Sequence, residues 1–158
     1  MTSRYNPGVA SPSNRDVVES YVRALEAQDV DAIVALLADD YTDEMPQSGE
    51  RIRGSTNFRA FVAGYPGGVG TLERRRIVGS EDHWVMTPSF SAVRIEGSGD
   101  TYTCVGTITY ADGQTWQTIS IAEVRDGKLA KTTTWYAAPF PAPDWRAALV
   151  ERFPALGE

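Results

Sequence analysis

Apolar residues recur at helical spacing near the start of the chain. The spacing predicts two successive helices, the first after Ser13 or Asn14 and the second after Asp29, because these residue types cap helices. A third helix is predicted after Ser55. The apolar faces of the three helices are formed, in order, by Val18, Tyr21, Val22 and Leu25, by Ile33, Leu36 and Leu37, and by Phe58, Phe61 and Val62.

Strand patterns follow the second helix and fill the chain after the third. A first strand is predicted from Tyr41 to Met45, ended by Pro46, and a polar turn leads to a second strand at residues 51–53. Asp112-Gly113 and Asp126-Gly127 are hairpin signals, so the later strands should form an antiparallel meander. Helices that precede such a sheet indicate an α+β fold class. The later predicted strands cover residues 72–78, 83–95, 101–110, 115–124 and 129–136.

The two ends of the chain differ from this regular middle. Residues 1–12 contain no apolar core of signal-peptide length and are expected to be a flexible tail. Residues 13–158 fit a single domain. After Tyr136, three prolines interrupt the strand pattern, and Asp144 can cap a final short helix that carries Trp145, Leu149 and Phe153 on one face. We expect this helix to fold back on the domain or to reach a second subunit.

Composition excludes several classes of function. A formal net charge of −6 opposes binding to nucleic acid or to an anionic membrane. Cys104 is the only cysteine, so no intramolecular disulfide forms and a cytoplasmic location is expected. One histidine and one cysteine cannot build a zinc site, and the carboxylates lack calcium-loop spacing. We therefore expect no metal and no cofactor.

The order of elements resembles the nuclear transport factor 2-like fold in its SnoaL-like branch. The resemblance rests on the helix pair that leads into Asp39-Asp40, the strand ended by Pro46, and the Asp126-Gly127 hairpin. It implies a cone in which a curved antiparallel sheet packs on three N-terminal helices and encloses a cavity. Ketosteroid isomerases, polyketide cyclases and limonene epoxide hydrolases share this fold.

Alignment with the ketosteroid isomerases implies which side chains point into the cone. Tyr21 takes the place of the inner tyrosine of that family. Met45 stands where those enzymes have their proton-shuttling aspartate, and Ser120 stands where they have a protonated aspartic acid, so their chemistry is not implied here. The limonene epoxide hydrolase carboxylates are also missing, one of them replaced by Thr134. The other implied inward residues are Tyr41, Asp43, Thr118, Thr132 and Tyr136.

Asp43 is the best placed candidate for an acid/base residue. A carboxylate buried in an apolar pocket binds its proton more tightly, which suits proton transfer near neutral pH. Tyr21 and Tyr136 could donate hydrogen bonds to a developing enolate oxygen. Glu44 takes the role if the strand parity is displaced by one residue, and an ordinary pair of strand-end charges is the alternative.

Further residues are candidates for ligand contact. Gln47, in the turn after Pro46, could close one wall of the pocket or be a turn residue only. Trp84 and Met86 alternate on a predicted strand and belong either to the core or to the ligand site. Trp116 lies at the start of a strand, where an aromatic side chain would suit a flat hydrophobic ligand. The full set of candidate ligand contacts is Tyr41, Met45, Gln47, Trp84, Met86, Trp116, Thr118, Ser120 and Thr134.

These inferences favour a cofactor-independent acid/base enzyme of the isomerase, cyclase or hydratase type. Its substrate would be a small hydrophobic molecule resembling a polyketide, terpenoid or steroid. A non-catalytic binding protein and a structural dimer module are the alternatives. The outward parity of four residues predicts a homodimer through the outer sheet face, since a monomer rarely exposes such a patch. These are Ile119, Ile121, Thr133 and Trp135.

Overall fold

A computed structural model describes residues 11–79 and 99–153 of the chain. Two helices, α1 (Asn14–Glu26) and α2 (Val30–Leu36), precede the strands, and a third, α3 (Gly54–Gly64), lies between the second and third strands. The strands are β1 (Leu37–Met45), β2 (Glu50–Arg53), β3 (Thr71–Gly79), β4 (Thr101–Thr109), β5 (Thr115–Arg125) and β6 (Lys128–Ala137). A 3₁₀ helix, Asp144–Leu149, follows the last strand. The predicted α+β class is confirmed.

The strands form one curved sheet in the order β2-β1-β6-β5-β4-β3. Most neighbours are antiparallel, as the hairpin signals predict, but β1 and β6 run parallel. This pair brings residues about ninety positions apart into one ladder, with Asp43 opposite Thr132. Because no tight turn joins two parallel strands, the local sequence does not indicate this register.

The turn residues act as the sequence predicts. Asp126 and Gly127, between β5 and β6, both have positive φ, at 52° and 70°. Two such residues form the tight turn whose twist matches antiparallel strands. The hairpin pairs β5 with β6, and beyond a register shift between Glu123 and Val124, Thr118 lies opposite Tyr136 and Ser120 opposite Thr134.

Of the caps predicted for the three N-terminal helices, two are present. The Ser13 side chain accepts a hydrogen bond from the Asp16 amide and forms a capping box, and Asp29 accepts one from the Ala32 amide. The predicted cap at Ser55 is wrong. The third helix begins at Gly54, two residues earlier than a cap at Ser55 would place it, and Arg53 stands at its cap position without a side-chain cap bond.

The helices cover one face of the sheet and enclose the core. The first helix packs on β3, β5 and β6, and α3 packs on β1 and β2. Tyr41 is fully buried and meets Phe58 of α3 edge to face, with ring centroids 6.2 Å apart. Val18 and Leu129 are also fully buried. The core therefore joins all three helices to the middle of the sheet.

One of the two arrangements predicted for the C-terminal helix is wrong. Trp145, Leu149 and Phe153 are 76%, 78% and 83% exposed, so this short helix does not fold back on its own domain. The three preceding prolines hold the chain extended and cannot join the sheet ladder. Asp144 provides no side-chain cap.

Several predictions fall outside the described residues. The strand predicted at residues 83–95, with Trp84 and Met86, is among them, as is most of the predicted tail. Within residues 11–79 and 99–153, no helix is long and apolar enough to cross a membrane.

Candidate functional site

A cavity of about 150 Å³ lies between the helices and the concave face of the sheet. We call it the inner cavity. Its size is that of cavities that accept a small organic molecule. Its wall is mainly apolar, with a few polar side chains that converge from α1 and three strands. Those polar residues include Tyr21, Asp43, Thr118, Ser120, Thr132, Thr134 and Tyr136.

Strand pairing positions the carboxylate of Asp43. Asp43 and Thr132 are direct partners in the β1–β6 ladder, so their side chains leave the sheet on the same face. The Thr132 hydroxyl donates a hydrogen bond of 2.8 Å to Asp43 Oδ1. No salt bridge to Asp43 is found within the described residues. The carboxylate is thus held in an apolar wall by a neutral donor.

This environment changes the proton affinity of Asp43. Burial raises its pKa to about 6, against an ordinary value of 3.8, and the neighbouring Glu44 charge adds to the rise. The hydrogen bond from Thr132 opposes the shift, because it stabilises the ionised form. A carboxyl with this pKa is largely ionised at neutral pH and still accepts a proton readily.

Three tyrosine hydroxyls lie around this carboxylate. Burial is the main cause that raises the pKa of Tyr21, Tyr41 and Tyr136, and the Asp43 charge raises the pKa of each further. All three phenols therefore remain protonated at neutral pH and act as hydrogen-bond donors. Tyr21 and Tyr136 line the inner cavity. Donors of this kind suit an oxygen on which negative charge develops.

Glu44 lies on the opposite face of the same strand. Its carboxylate contacts Lys131 at 3.0 Å and accepts a hydrogen bond of 2.7 Å from Arg51 Nε. These two cations lower the pKa of Glu44. Asp43 lines the inner cavity and Glu44 does not, so the one-residue displacement of strand parity, on which the substitute role of Glu44 depended, is wrong.

A second, more open space adjoins the inner cavity, and we call it the outer cavity. Tyr136 lines both. The Gln47 side chain fixes this tyrosine, because its amide donates to the Tyr136 carbonyl at 2.7 Å and accepts from the Tyr136 amide at 2.6 Å. Met45 and Trp116 line the outer cavity, not the inner one.

The other candidate residues divide by depth. Thr118, Ser120 and Thr134 line the inner cavity, where the Ser120 and Thr134 hydroxyls lie 2.9 Å apart. The prediction that Tyr41 lines the cavity is wrong. Tyr41 lies behind the cavity wall and is fully buried, with its hydroxyl 2.6 Å from Thr132 Oγ1. Thr132 lines the cavity as predicted. Its hydrogen bond to Asp43 was not predicted, because it depends on the parallel pairing of β1 with β6.

The described residues hold no group of three or more histidine, cysteine, aspartate or glutamate side chains arranged to bind a metal ion. The polar groups on the described wall of the inner cavity are one carboxylate, several hydroxyls, the Gln28 amide and the Cys104 thiol. These groups can accept a proton, donate a proton and hold an oxygen atom in place.

Comparison with known proteins identifies the family. The family model for the SnoaL-like domain matches residues 18–132. The chain belongs to the SnoaL-like family. This finding confirms the resemblance inferred from the helix pair and the first strand, and the matched range includes Tyr21, Asp43 and Thr132.

Solved structures agree with this assignment. An NTF-2-like protein of unknown function from Burkholderia xenovorans LB400 is 31% identical, with a TM-score of 0.67 over 89% of this chain and 95% of that one. A candidate ketosteroid isomerase from Kribbella flavida DSM 17836 is 26% identical, with a TM-score of 0.70 over 90% and 91%. TerC, crystallised with polyporic acid, is 18% identical with a TM-score of 0.58 over 78% and 90%, which shows likeness of fold.

Proposed function

We propose that this SnoaL-like protein is a cofactor-independent acid/base enzyme that acts on a small, neutral, hydrophobic molecule with an enolisable carbonyl. The observation that carries the proposal is the ionisable Asp43 in the apolar wall of the inner cavity, with its pKa raised to about 6. An acid/base group works best when its pKa lies near the operating pH. The fold by itself does not decide function.

The proposed chemistry is proton abstraction next to a carbonyl. The Asp43 carboxylate takes a proton from the carbon beside the carbonyl, and negative charge moves to the carbonyl oxygen. Tyr21 and Tyr136 line the same cavity and donate hydrogen bonds to that oxygen. The proton then returns to the substrate at the same or another atom, which covers isomerisation and cyclisation as reaction types.

The lining supports a neutral ligand. No lysine or arginine is among the described residues of the inner cavity wall. Apolar side chains, including Val22, Leu25 and Phe58 from the helices, form most of its surface. An anionic ligand would lose its hydration and lie near the Asp43 charge without a cation to compensate. A polyketide-, terpenoid- or steroid-like molecule meets these conditions.

The test uses 2-tetralone, a small hydrophobic ketone with acidic carbon-bound protons. In D₂O, the wild-type protein should speed deuterium uptake at these carbons, as followed by NMR, and Asp43→Asn should abolish the effect. Asp39→Asn changes an exposed carboxylate on the same strand and should have no effect. Saturable binding of the ketone without exchange would instead indicate a binding protein.

We also propose a homodimer through the outer sheet face. Ile119 and Trp135 are direct cross-strand partners there, and they are 48% and 38% exposed. Two large apolar side chains side by side on a strand pair favour burial against another surface. The exposed Trp145 and Phe153 near the C-terminus could extend such an interface. The oligomeric state in solution tests this proposal.

A further inference from the structure

The outer cavity is rich in aromatic side chains. Five of the eleven described residues that line it are aromatic, whereas aromatic residues make up 10% of the whole chain. No charged side chain is among those eleven residues. The lining therefore favours a neutral ligand with a large flat surface. The five aromatic residues are Phe61, Tyr65, Tyr110, Trp116 and Tyr136.

Tyr110 and Trp116 form an aromatic pair beside the β4–β5 turn. Their rings meet edge to face, with centroids 5.3 Å apart and planes at 77°. The Trp116 indole N–H donates a hydrogen bond to the Gln114 side-chain oxygen at 3.2 Å, so a ligand need not provide a partner for it. Both residues of the pair are partly exposed and line the outer cavity. The pair is thus held by the protein and still presents aromatic surface to a ligand.

A second aromatic pair reaches the outer cavity from α3. Phe61, in this helix, and Tyr65, directly after it, meet edge to face with ring centroids 5.5 Å apart. Both line the outer cavity. Aromatic side chains therefore reach this space from a helix as well as from the sheet.

The outer cavity and the inner cavity share part of their walls. Five residues line both, and Tyr136 is one of them. The Gln47 side chain holds the Tyr136 backbone at this boundary through its two hydrogen bonds. A ligand that reaches Tyr136 from the inner cavity is therefore at the edge of the outer cavity. The other four shared residues are Phe61, Val69, Gly70 and Ile108.

The inner cavity by itself holds about one six-membered ring. Its volume is about 150 Å³, and an apolar cavity of this size binds benzene. A molecule with two or more fused rings is larger and must extend beyond it. The outer cavity adds about 430 Å³ next to Tyr136.

We propose that the outer cavity is a second subsite, which binds a flat aromatic ring fused to the carbonyl-bearing ring in the inner cavity, and that Tyr110 and Trp116 recognise this aromatic ring. The inference rests on the proposed function and narrows its substrate to a ketone of this fused-ring type. In this arrangement, proton transfer takes place in the inner cavity and selection between substrates in the outer one. Trp116 is the main specificity-determining residue.

The Tyr110–Trp116 pair should prefer an aromatic ring to a saturated one. Saturated six-membered rings are puckered and have no π system. Edge-to-face or offset-stacked contacts between aromatic rings strengthen binding beyond the effect of burial, by about three- to tenfold. The subsite should therefore distinguish two ketones that share one carbon skeleton and differ only in the aromaticity of the second ring.

The first experiment measures Kd for three ketones by NMR titration. Cyclohexanone has one ring, 2-tetralone adds a fused aromatic ring, and 2-decalone has the same skeleton as 2-tetralone with a saturated second ring. Trp116→Leu removes the aromatic surface and keeps an apolar side chain. It should weaken the binding of 2-tetralone about three- to tenfold, that of 2-decalone clearly less, and that of cyclohexanone not at all.

The matched control is Trp145→Leu, the same change at a residue that is 76% exposed and is not among the described residues lining either cavity. It should leave all three Kd values unchanged. Tyr110→Leu removes the other ring of the pair and should give the same pattern as Trp116→Leu, so it serves where Trp116→Leu does not fold.

Several outcomes would overturn the subsite. Unchanged binding of 2-tetralone in Trp116→Leu would do so, as would equal weakening of 2-tetralone and 2-decalone. Weakening of cyclohexanone to the same extent would assign the effect to the inner cavity and would also overturn it.

The titrations require no proton transfer, so the two proposals are judged separately. A wild type that shows the predicted binding pattern but does not speed deuterium uptake would refute the proposed chemistry alone. A wild type that speeds uptake, with a Trp116→Leu variant that binds 2-tetralone equally well, would refute the subsite alone.

The second experiment tests the orientation of the ligand in the wild-type protein. Nuclear Overhauser effects from bound 2-tetralone report which side chains lie near each end of the molecule. Its aromatic protons should contact the rings of Tyr110 and Trp116. The protons beside its carbonyl should contact the methyl groups of Val22 and Leu25, which line the inner cavity only. The reverse orientation, or contact of both ends with the inner cavity alone, would overturn the proposal.

Discussion

The stability of the Asp43→Asn variant relative to the wild type should increase as the pH rises from acid to neutral. The folded state raises the pKa of Asp43 from 3.8 to about 6. Below pH 3.8 the carboxyl is protonated in both the folded and the unfolded state, so it does not lower the free energy of unfolding. As the pH rises from 3.8 to 6, the unfolded chain releases this proton while the folded chain retains it, so the stability of the folded state falls.

The size of the effect follows from the same two values. One pKa unit corresponds to about 1.4 kcal/mol, so the full cost above pH 6 is at most about 3 kcal/mol. About 2.5 kcal/mol of this cost develops between about pH 4 and pH 7.5. Asparagine cannot ionise, so the variant does not lose this stability as the pH rises. Its amide also leaves two N–H donors to satisfy, at about 1 to 3 kcal/mol, but that penalty is the same at both pH values.

The assay is urea unfolding of the wild type and Asp43→Asn at about pH 4 and pH 7.5. The quantity of interest is the change with pH in the difference between the two free energies of unfolding. We expect about 2.5 kcal/mol in favour of Asp43→Asn. The control, Asp39→Asn, removes an exposed carboxylate from the same strand and should give less than about 0.5 kcal/mol. A value for Asp43→Asn no larger than the control would show that the carboxyl titrates normally and would refute the argument.

Three further predictions concern activity and assembly. The rate of deuterium uptake by 2-tetralone should rise as the pH passes about 6 and then level off, since Asp43 must be ionised; a rate independent of pH from 5 to 8 would contradict this. Tyr21→Phe should keep the fold by circular dichroism but weaken ligand binding or turnover by about 1 to 3 kcal/mol, because it removes one buried hydroxyl. Ile119→Asp should convert a dimer to a monomer in sedimentation; a monomeric wild type would contradict the dimer.

The sequence allowed most of the fold to be predicted because its signals are local. Helical spacing located α1 and α2, and the hairpin dipeptides located the β4–β5 and β5–β6 turns. The failures also have local causes. At the third helix, the predicted cap Ser55 lies two positions after the observed cap, because Gly54, with a φ of 72°, allows the chain to turn into the helix earlier. An apolar face on residues 145–153 shows that the segment can bury surface, but it does not say against what.

The candidate site was predictable only where parity along one strand decides it. Alignment with the ketosteroid isomerases implied the inward parity, and alternation along β1 and β6 then gave Asp43, Thr134 and Tyr136, which line the inner cavity. The contact between Asp43 and Thr132 required the parallel β1–β6 register, for which the sequence contains no turn. Tyr41 shows the same limit, because parity gives the face of a strand but not the depth of a side chain within the fold.

Asp43 and Glu44 together give the strongest reason to place the acid/base group at position 43. They are adjacent on one strand, yet their environments shift their pKa values in opposite directions. Two cations neutralise Glu44 outside the cavity, which stabilises its charge and makes it a poor base. Asp43 has one neutral donor and an apolar wall, so its charge destabilises the folded state by up to about 3 kcal/mol. Leucine or valine at this position would avoid that cost and still fill an apolar wall. A carboxyl that weakens the fold and faces a cavity is better explained by proton transfer than by packing.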